Sequence, residues 1–304
     1  MSWFSRYPAR PIAVIFLQGA CSLRCPFCAT ETRVETLPPD ALAGLLDRLA
    51  EAEVQNVVLG GGEPAEWPWG WETACRMARE RGFLVQLGTA GAALRPGFEQ
   101  VAWVDRFVLP LDGDTPARHN RFRPMGLEPA ISMRRARAFF GRLGGTGVPD
   151  GHFAVIMDRL AALAEAGREV TLSTVVTRES LPVIDRLTGM VEQIARCLPV
   201  HAWHLYRVIP AGRGGGNTAE RFGINREAFD LEVARIRGRI SAVRVFKRTD
   251  MRFSRDVDFF WLEKGLIRRG LEVWSACDAA VGSDPDWLAL HETAVRPDCW
   301  SGRT

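Results

Sequence analysis

The sequence predicts an α/β fold built on a parallel sheet, and two observations predict it. Short apolar runs rich in β-branched residues alternate with segments of helical periodicity over about two thirds of the chain. The run Val14–Leu17 is apolar at every position, as in strands that are covered on both faces. Crossover connections between parallel strands are right-handed, and this rule favours a wound α/β layer or a partial barrel.

Six strands are expected in this part of the chain. They lie near Ile12–Leu17, Asn56–Leu59, Phe83–Gly88, Arg106–Leu111, Val170–Thr177 and Ala202–Val208. Between them, Leu42, Leu45, Leu46 and Leu49 recur at helical spacing, as do apolar residues of 153–164 and 184–194. These stripes are interpreted as core-facing sides of helices.

A glycine-rich segment, 212–216, ends the alternation and predicts a boundary. Residues 1–215 are expected to form the main domain, and 216–304 an extension that covers it. The extension is expected to contain a helix near Asn225–Ile240, a strand near Val243–Phe246, a hairpin of Val257–Leu262 and Leu266–Trp274 that turns at Lys264 and Gly265, and an irregular tail.

An arginine-rich insertion is expected at about 118–150, between the fourth strand and the next helix. Between Arg118 and Arg142 lie seven arginines and His119 against one acid, Glu128. Two interpretations remain open: a solvated loop with a weakly amphipathic helix, or a lid that binds anions over the site.

Composition excludes several classes of protein. With 47% hydrophobic and 25% charged residues, the chain resembles neither a disordered nor a collagen-like protein. The net charge of +3 is too small to indicate nucleic-acid binding. No segment approaches the roughly 18 apolar residues of a membrane span, and the run before Cys21 is shorter than the about 7–15 residues of a signal-peptide core. We therefore expect a cytoplasmic protein.

Three cysteines, Cys21, Cys25 and Cys28, follow the first predicted strand within one loop. Soft thiolates select zinc or an iron–sulfur cluster. A structural zinc site needs a fourth ligand, and no second pair supplies it, since His201 and His204 should point to opposite faces of a strand. A cluster held by three cysteines leaves one iron open to a substrate or cofactor.

This Cys-x3-Cys-x2-Cys spacing, with Phe27 just before the last cysteine, resembles the radical S-adenosylmethionine (radical SAM) superfamily. The resemblance implies a partial (β/α)6 TIM-like barrel, one [4Fe–4S] cluster held by the three cysteines, and S-adenosylmethionine bound to the fourth iron. It further implies reductive cleavage of S-adenosylmethionine to a 5′-deoxyadenosyl radical that abstracts hydrogen from the substrate.

Weaker matches extend the resemblance over roughly residues 11–215. Gly60-Gly61-Gly62-Glu63 resembles the family's Gly-Gly-Glu motif, Thr89-Ala90-Gly91 its Thr-Asn-Gly, and the Pro-x-Gly after strand six resembles the cofactor-maturase and peptide-modifying branch. Cys277 and Cys299 are too far apart to predict an auxiliary cluster. The resemblance implies cofactor contacts at Phe27, Gly61, Gly62, Glu63, Thr89, Thr174 and Arg207; it assigns no catalytic acid or base.

We therefore expect an enzyme that acts on a small-molecule or peptide substrate. The arginine-rich insertion would suit an anionic substrate. An external one-electron donor such as a flavodoxin or ferredoxin would reduce the cluster. Two alternatives within the enzymes are a peptide-modifying maturase and a nucleotide-modifying enzyme. An alternative of another class is a regulatory protein that binds zinc or an iron–sulfur cluster without catalysis.

Overall fold

Parallel strand pairing organises the chain, as the alternation of apolar runs predicts. The computed structural model describes residues 11–209, 211–214, 217–249, 256–270 and 291–292. All six predicted strands are present, with ends within two residues of those expected: β1 (Ile12–Gln18), β2 (Asn56–Gly61), β3 (Leu84–Gly88), β4 (Arg106–Pro110), β5 (Val170–Val176) and β6 (Val200–Arg207). Each pairs in parallel with the next.

Four later strands extend the same sheet at both edges: β7 (Val245–Arg248), β8 (Val257–Glu263), β9 (Leu266–Gly270) and β10 (His291–Glu292). In the described residues the strand order is β10-β9-β8-β1-β2-β3-β4-β5-β6-β7. β7 pairs with β6, and β8 pairs in parallel with β1. The sheet is therefore open, with β7 and β10 at its edges.

The predicted hairpin is confirmed as an antiparallel pair of β8 and β9. Its two-residue turn has φ values of 53° at Lys264 and 71° at Gly265, the left-handed backbone that tight hairpins require. Glu35 accepts hydrogen bonds from both turn N–H groups, at 2.6 and 3.2 Å. The expected continuation of β9 to Trp274 and the tail, apart from residues 291–292, lie outside the described residues. These two residues form β10 and pair with β9, which departs from the irregular structure expected for the tail.

Helices follow the strands and cover the sheet: α1 (Pro39–Glu51), α2 (Trp71–Glu80), α3 (Pro116–Phe122), α4 (Met133–Arg142), α5 (Gly151–Glu165), α6 (Ile184–Cys197), α7 (Asn217–Phe222) and α8 (Arg226–Arg239). The predicted core stripe of α1, Leu42 to Leu49, is fully buried. None of the helices in the described ranges combines the length and apolar character that crossing a bilayer requires.

The arginine-rich insertion forms two helices, α3 and α4, between β4 and the crossover helix α5. Thr115 and Ser132 cap them by accepting hydrogen bonds from Arg118 and Arg135 N–H groups. α4 packs against α5, which is buried at every position from 152 to 163. The amphipathic pattern expected for α5 is thus incomplete, because the insertion covers the face that would otherwise meet solvent.

Candidate metal and cofactor site

The three cysteines lie in the loop that follows β1, at the carboxyl end of the parallel strands. Cys21, Cys25 and Cys28 are each partly buried, and all three line one cavity of about 340 Å³. The loop turns tightly there, because the Cys28 N–H donates to the Cys25 carbonyl at 3.1 Å. The structure therefore brings the predicted ligands together on one wall.

Neighbouring segments fasten the cysteine loop. Glu66 accepts hydrogen bonds from the Ser22 N–H, at 3.1 Å, and from the Ser22 hydroxyl. On the other side, the Arg24 N–H donates to the Pro124 carbonyl at 3.1 Å, and the Gly126 N–H donates to the Ser22 carbonyl at 3.0 Å. The loop is thus held between the residues after β2 and the arginine-rich insertion.

Gly61 and Gly62 allow the end of β2 to approach this loop. The Gly62 N–H donates to the Gln18 carbonyl at 2.7 Å, and a Cβ at Gly62 would lie 2.0 Å from the Ala20 carbonyl oxygen. Gly61 has a φ of 114°, which side chains disfavour. Both glycines line the cavity beside the cysteines, so their backbones face the space where a ligand would bind.

Glu63 is placed behind this wall, and its carboxylate does not line the cavity. It accepts hydrogen bonds from the Thr89 hydroxyl at 2.5 Å and from the N–H groups of Ala65 and Ala90, at 2.9 and 2.7 Å. Burial raises the pKa of Glu63 to about 7, although these donors lower it. Glu63 therefore acts by joining the ends of β2 and β3.

The ends of β3 to β6 form the remaining wall, with Thr89, Ala90, Pro110, Ser173, Val175, Tyr206 and Arg207 among its residues. The Arg207 guanidinium already donates two hydrogen bonds to backbone carbonyls, those of Thr249 and Ile224, at 2.9 and 3.4 Å. Phe27 also lines the cavity, and its buried ring packs against Phe122 and Phe222.

Thr174 departs from the predicted set. Its hydroxyl donates to the Leu111 carbonyl at 2.5 Å and accepts from Trp203 Nε1 at 2.8 Å, and the residue is fully buried away from the cavity. Side chains alternate along a strand, so its neighbours Ser173 and Val175 face the cavity instead. The Thr174 side chain therefore lies on the face of β5 opposite the cavity.

Two arginines contact the cysteine sulfur atoms. Arg123 Nη1 lies 3.6 Å from Cys25 Sγ, and Arg213 Nη2 lies 3.3 Å from Cys28 Sγ. The sequence motifs did not single out Arg123; the excess of arginines in the insertion was the available signal. The described lining of the cavity includes Arg123 but none of Arg134, Arg135 and Arg137.

Burial disfavours the thiolate form at two of the three cysteines. Burial raises the pKa of Cys21 to about 11 and also raises that of Cys25. Metal binding needs thiolates, so it must displace their protons. Loading of the site is therefore coupled to proton release.

The arrangement fits a multi-iron cluster better than a single ion. In the described residues, no group of three or more His, Cys, Asp or Glu side chains converges closely enough to hold one metal ion. A four-iron cluster binds each thiolate at a different iron, so its ligands need only surround a common space. Cys75 and Cys197 lie in α2 and α6 and are not part of the described cavity lining.

Comparison with known proteins decides the family. The family model described as the radical SAM superfamily matches residues 15–180, more than half of the chain. The chain belongs to the radical SAM superfamily. Membership in this superfamily makes the protein an enzyme and implies an iron–sulfur cluster with S-adenosylmethionine.

Two curated relatives are AdoMet-dependent heme synthases. That of Nitratidesulfovibrio vulgaris is 25% identical over 204 residues, which cover 65% of this chain and 48% of the relative. That of Oleidesulfovibrio alaskensis is 26% identical over 202 residues, 64% of this chain and 44% of the relative. The chain thus spans about half the length of the curated relatives it matches.

Solved structures confirm the predicted fold, a partial TIM-like barrel. Streptococcus suis SuiB bound to S-adenosylmethionine matches with a TM-score of 0.58 at 12% identity, covering 81% of this chain and 53% of SuiB. A radical SAM methyltransferase from Sphaerobacter thermophilus matches with a TM-score of 0.50 at 20% identity, covering 77% of this chain and 65% of the methyltransferase. At these identities the likeness concerns the fold alone.

Proposed function

We propose that the chain binds one [4Fe–4S] cluster at Cys21, Cys25 and Cys28, with S-adenosylmethionine beside it. The observation that carries this proposal is that the three thiols open on the same cavity as Gly61 and Gly62. When bound, the cluster supplies the electron that cleaves S-adenosylmethionine to a 5′-deoxyadenosyl radical, which abstracts hydrogen from the substrate. The volume, about 340 Å³, falls among small-ligand sites.

The residues of the chain bind and orient S-adenosylmethionine, and they exclude water from the cavity. The backbones of Gly61 and Gly62 would hold the methionine end and the Phe27 backbone the adenine, and Thr89, Ser173 and Arg207, which line the same cavity, would add polar contacts. Apolar side chains of the cavity, Phe16, Val108, Val175 and Phe259, keep water from the reacting centre.

The proposed substrate is a small molecule or a peptide, and the proposed reductant is an external flavodoxin- or ferredoxin-type donor. Hydrogen abstraction needs the substrate beside S-adenosylmethionine, and the cavity is open at its mouth. The five cysteines of the described residues are free thiols, which suits a reducing cytoplasm.

We assign residues 1–215 to the barrel, with the insertion at about 118–150, and 216–304 to an extension. The pairing of β7 with β6 and of β8 with β1 supports an extension that flanks the barrel at both edges. Phe259 of β8 lines the cavity, so the extension contributes to the site.

Cluster assembly tests the proposal. We expect anaerobic reconstitution with iron and sulfide to load about four irons and four sulfides per chain, as a [4Fe–4S] cluster requires. Addition of S-adenosylmethionine should change the electron paramagnetic resonance spectrum of the reduced cluster, since an iron without a cysteine is open to it. The variant with Cys21, Cys25 and Cys28 all replaced by Ala should load none, and Cys197→Ala should behave as the wild type.

Zinc without sulfide in the purified protein, together with failure to assemble a cluster, would contradict the proposal. That outcome would favour the regulatory metal-binding alternative. A cluster whose spectrum does not change when S-adenosylmethionine is added would support the cluster assignment and contradict the proposed binding of S-adenosylmethionine.

A further inference from the structure

Two arginines lie beside the cysteine sulfur atoms, but they differ in how firmly they are held. Arg213, at 3.3 Å from Cys28 Sγ, is exposed. Arg123, at 3.6 Å from Cys25 Sγ, has only 16% of its side chain exposed. An interaction between a charge and a sulfur atom is stronger where water is excluded, so Arg123 is the more effective of the two.

Arg123 is fixed on three sides. Its Nε donates to Asp112 Oδ2 at 2.7 Å, and the Asp112 carboxylate is fully buried. Asp112 Oδ1 accepts from the Val175 N–H at 2.8 Å, which ties the pair to β5. The guanidinium also lies 5.3 Å from the centroid of the Phe27 ring, in the cysteine loop. Its distance to Cys25 is therefore set by the fold rather than by a mobile side chain.

A buried histidine pair supports Asp112 from behind. The Asp112 N–H donates to His119 Nδ1 at 3.1 Å, so this nitrogen is an acceptor and the ring proton of His119 is on Nε2. His119 Nε2 donates to His152 Nδ1 at 2.7 Å. His152 Nε2 then donates to the Ala90 carbonyl at 2.8 Å. Burial lowers the pKa of both imidazoles, so they are neutral and Arg123 is the cation of this network.

We propose that Arg123 is a positioning residue that raises the reduction potential of the cluster by donating to Cys25 Sγ. This inference rests on the proposed function. Reduction adds one electron, from an external donor, to a cluster that is already anionic with its thiolates. A buried cation and a hydrogen bond to a ligand sulfur stabilise the reduced form more than the oxidised form. No bond forms or breaks at the arginine, and it keeps its protons throughout.

The test compares two charge pairs of the same region. Removing Arg123 alone would leave the buried Asp112 unpaired, so the variant combines Arg123→Met with Asp112→Asn, whose side-chain oxygen still accepts from Val175. The control combines Arg118→Met with Asp114→Asn, a pair at 2.9 Å that is not part of the described cavity lining. Thermal unfolding of each metal-free protein checks the fold.

The readout is the midpoint potential of the reconstituted cluster without S-adenosylmethionine. It is obtained by titration with dithionite and mediators, followed by electron paramagnetic resonance. At the same applied potential, we expect the ratio of reduced to oxidised cluster in the Arg123→Met, Asp112→Asn protein to be about tenfold lower than in the wild type. For a one-electron reduction, this corresponds to a midpoint potential about 59 mV lower. The control pair should match the wild type.

Equal potentials in the wild type and in a folded, loaded variant would overturn the inference. If the double variant fails to fold or to load, Arg123→Lys decides, because its ammonium keeps the charge pair with Asp112 but lacks the second nitrogen that donates to Cys25 Sγ; the potential should fall in the same direction, and an unchanged potential would overturn the inference. Failure of the wild type itself to assemble a cluster would refute the proposed function instead, so the two failures are distinguishable.

Discussion

Single residues determine how closely the cysteine loop and the end of β2 approach. Packing requires a glycine at one position of the Gly-Gly-Glu motif: Gly62 faces the Ala20 carbonyl with no room for a methyl group, whereas a Cβ at Gly60 would meet nothing within 4 Å. The sequence predicted the motif from its place after strand two. It could not say which glycine is constrained, because that depends on a contact between distant segments.

Gly62→Ala should therefore destabilise the protein, and Gly60→Ala should not. We expect Gly62→Ala to lower the free energy of unfolding by about 1–3 kcal/mol, as overpacking does, and to reduce cluster loading by moving the cysteine loop. Urea unfolding and iron analysis of both variants measure this. Equal stability of the two alanine variants would contradict the packing argument.

Ser173 and Thr174 provide a second comparison at this scale. Ser173→Ala removes a polar group from the cavity wall, so we expect weaker binding of S-adenosylmethionine to the reconstituted protein. Thr174→Val should leave that affinity unchanged and lower stability by about 1–3 kcal/mol, because Trp203 Nε1 loses a buried acceptor. Calorimetric binding and urea unfolding separate the two effects. A loss of affinity confined to Thr174→Val would reverse the assignment.

Elements are joined around the site by the histidine pair. The imidazole rings of His119 in α3 and His152 in α5 have planes 2° apart and are joined edge to edge by their hydrogen bond, and they connect the end of β4 with the loop after β3. The arginine-rich insertion was expected to be either a solvated loop with a weakly amphipathic helix or an anion-binding lid. It forms two helices, of which α4 packs on α5, and its residues after α3 fasten the cysteine loop. Sequence periodicity could not foresee this, since arginines that pair with buried carboxylates look the same as arginines in solvent.

The buried pair predicts loss of stability in acid. Burial lowers the pKa of His119 to about 3 and that of His152 well below its ordinary value, so both are neutral in the folded state. As pH falls below about 6.5, the unfolded chain binds protons that the folded chain excludes, and stability falls by about 1.4 kcal/mol per pH unit for each histidine.

Replacement of both residues by Asn should make this acid slope shallower by that amount for each histidine. Urea unfolding between pH 6.5 and 4.5 measures it. An acid slope identical to that of the wild type would show that the imidazoles do not stay neutral in the folded state.

The whole molecule was largely predictable where local pattern and topology agree. Six apolar runs gave the six parallel strands, because alternating strands and helices leave few ways to form a covered parallel sheet. The tight turn at Lys264 and Gly265 was also readable. The pairing of β8 with β1 was not, because these strands lie far apart in the chain and no local signal encodes their contact. The positions of Arg123 and Asp112 near Cys25 escaped prediction for the same reason.

The central claim is that this chain cleaves S-adenosylmethionine at a cluster held by its three clustered cysteines. The most direct test is the amount of 5′-deoxyadenosine formed anaerobically by the reconstituted, dithionite-reduced protein, measured by chromatography. We predict formation by the wild type and by Cys197→Ala, and none by the variant with Cys21, Cys25 and Cys28 replaced by Ala. A fully loaded wild-type cluster that forms no 5′-deoxyadenosine, or equal formation by the triple variant, would contradict the account.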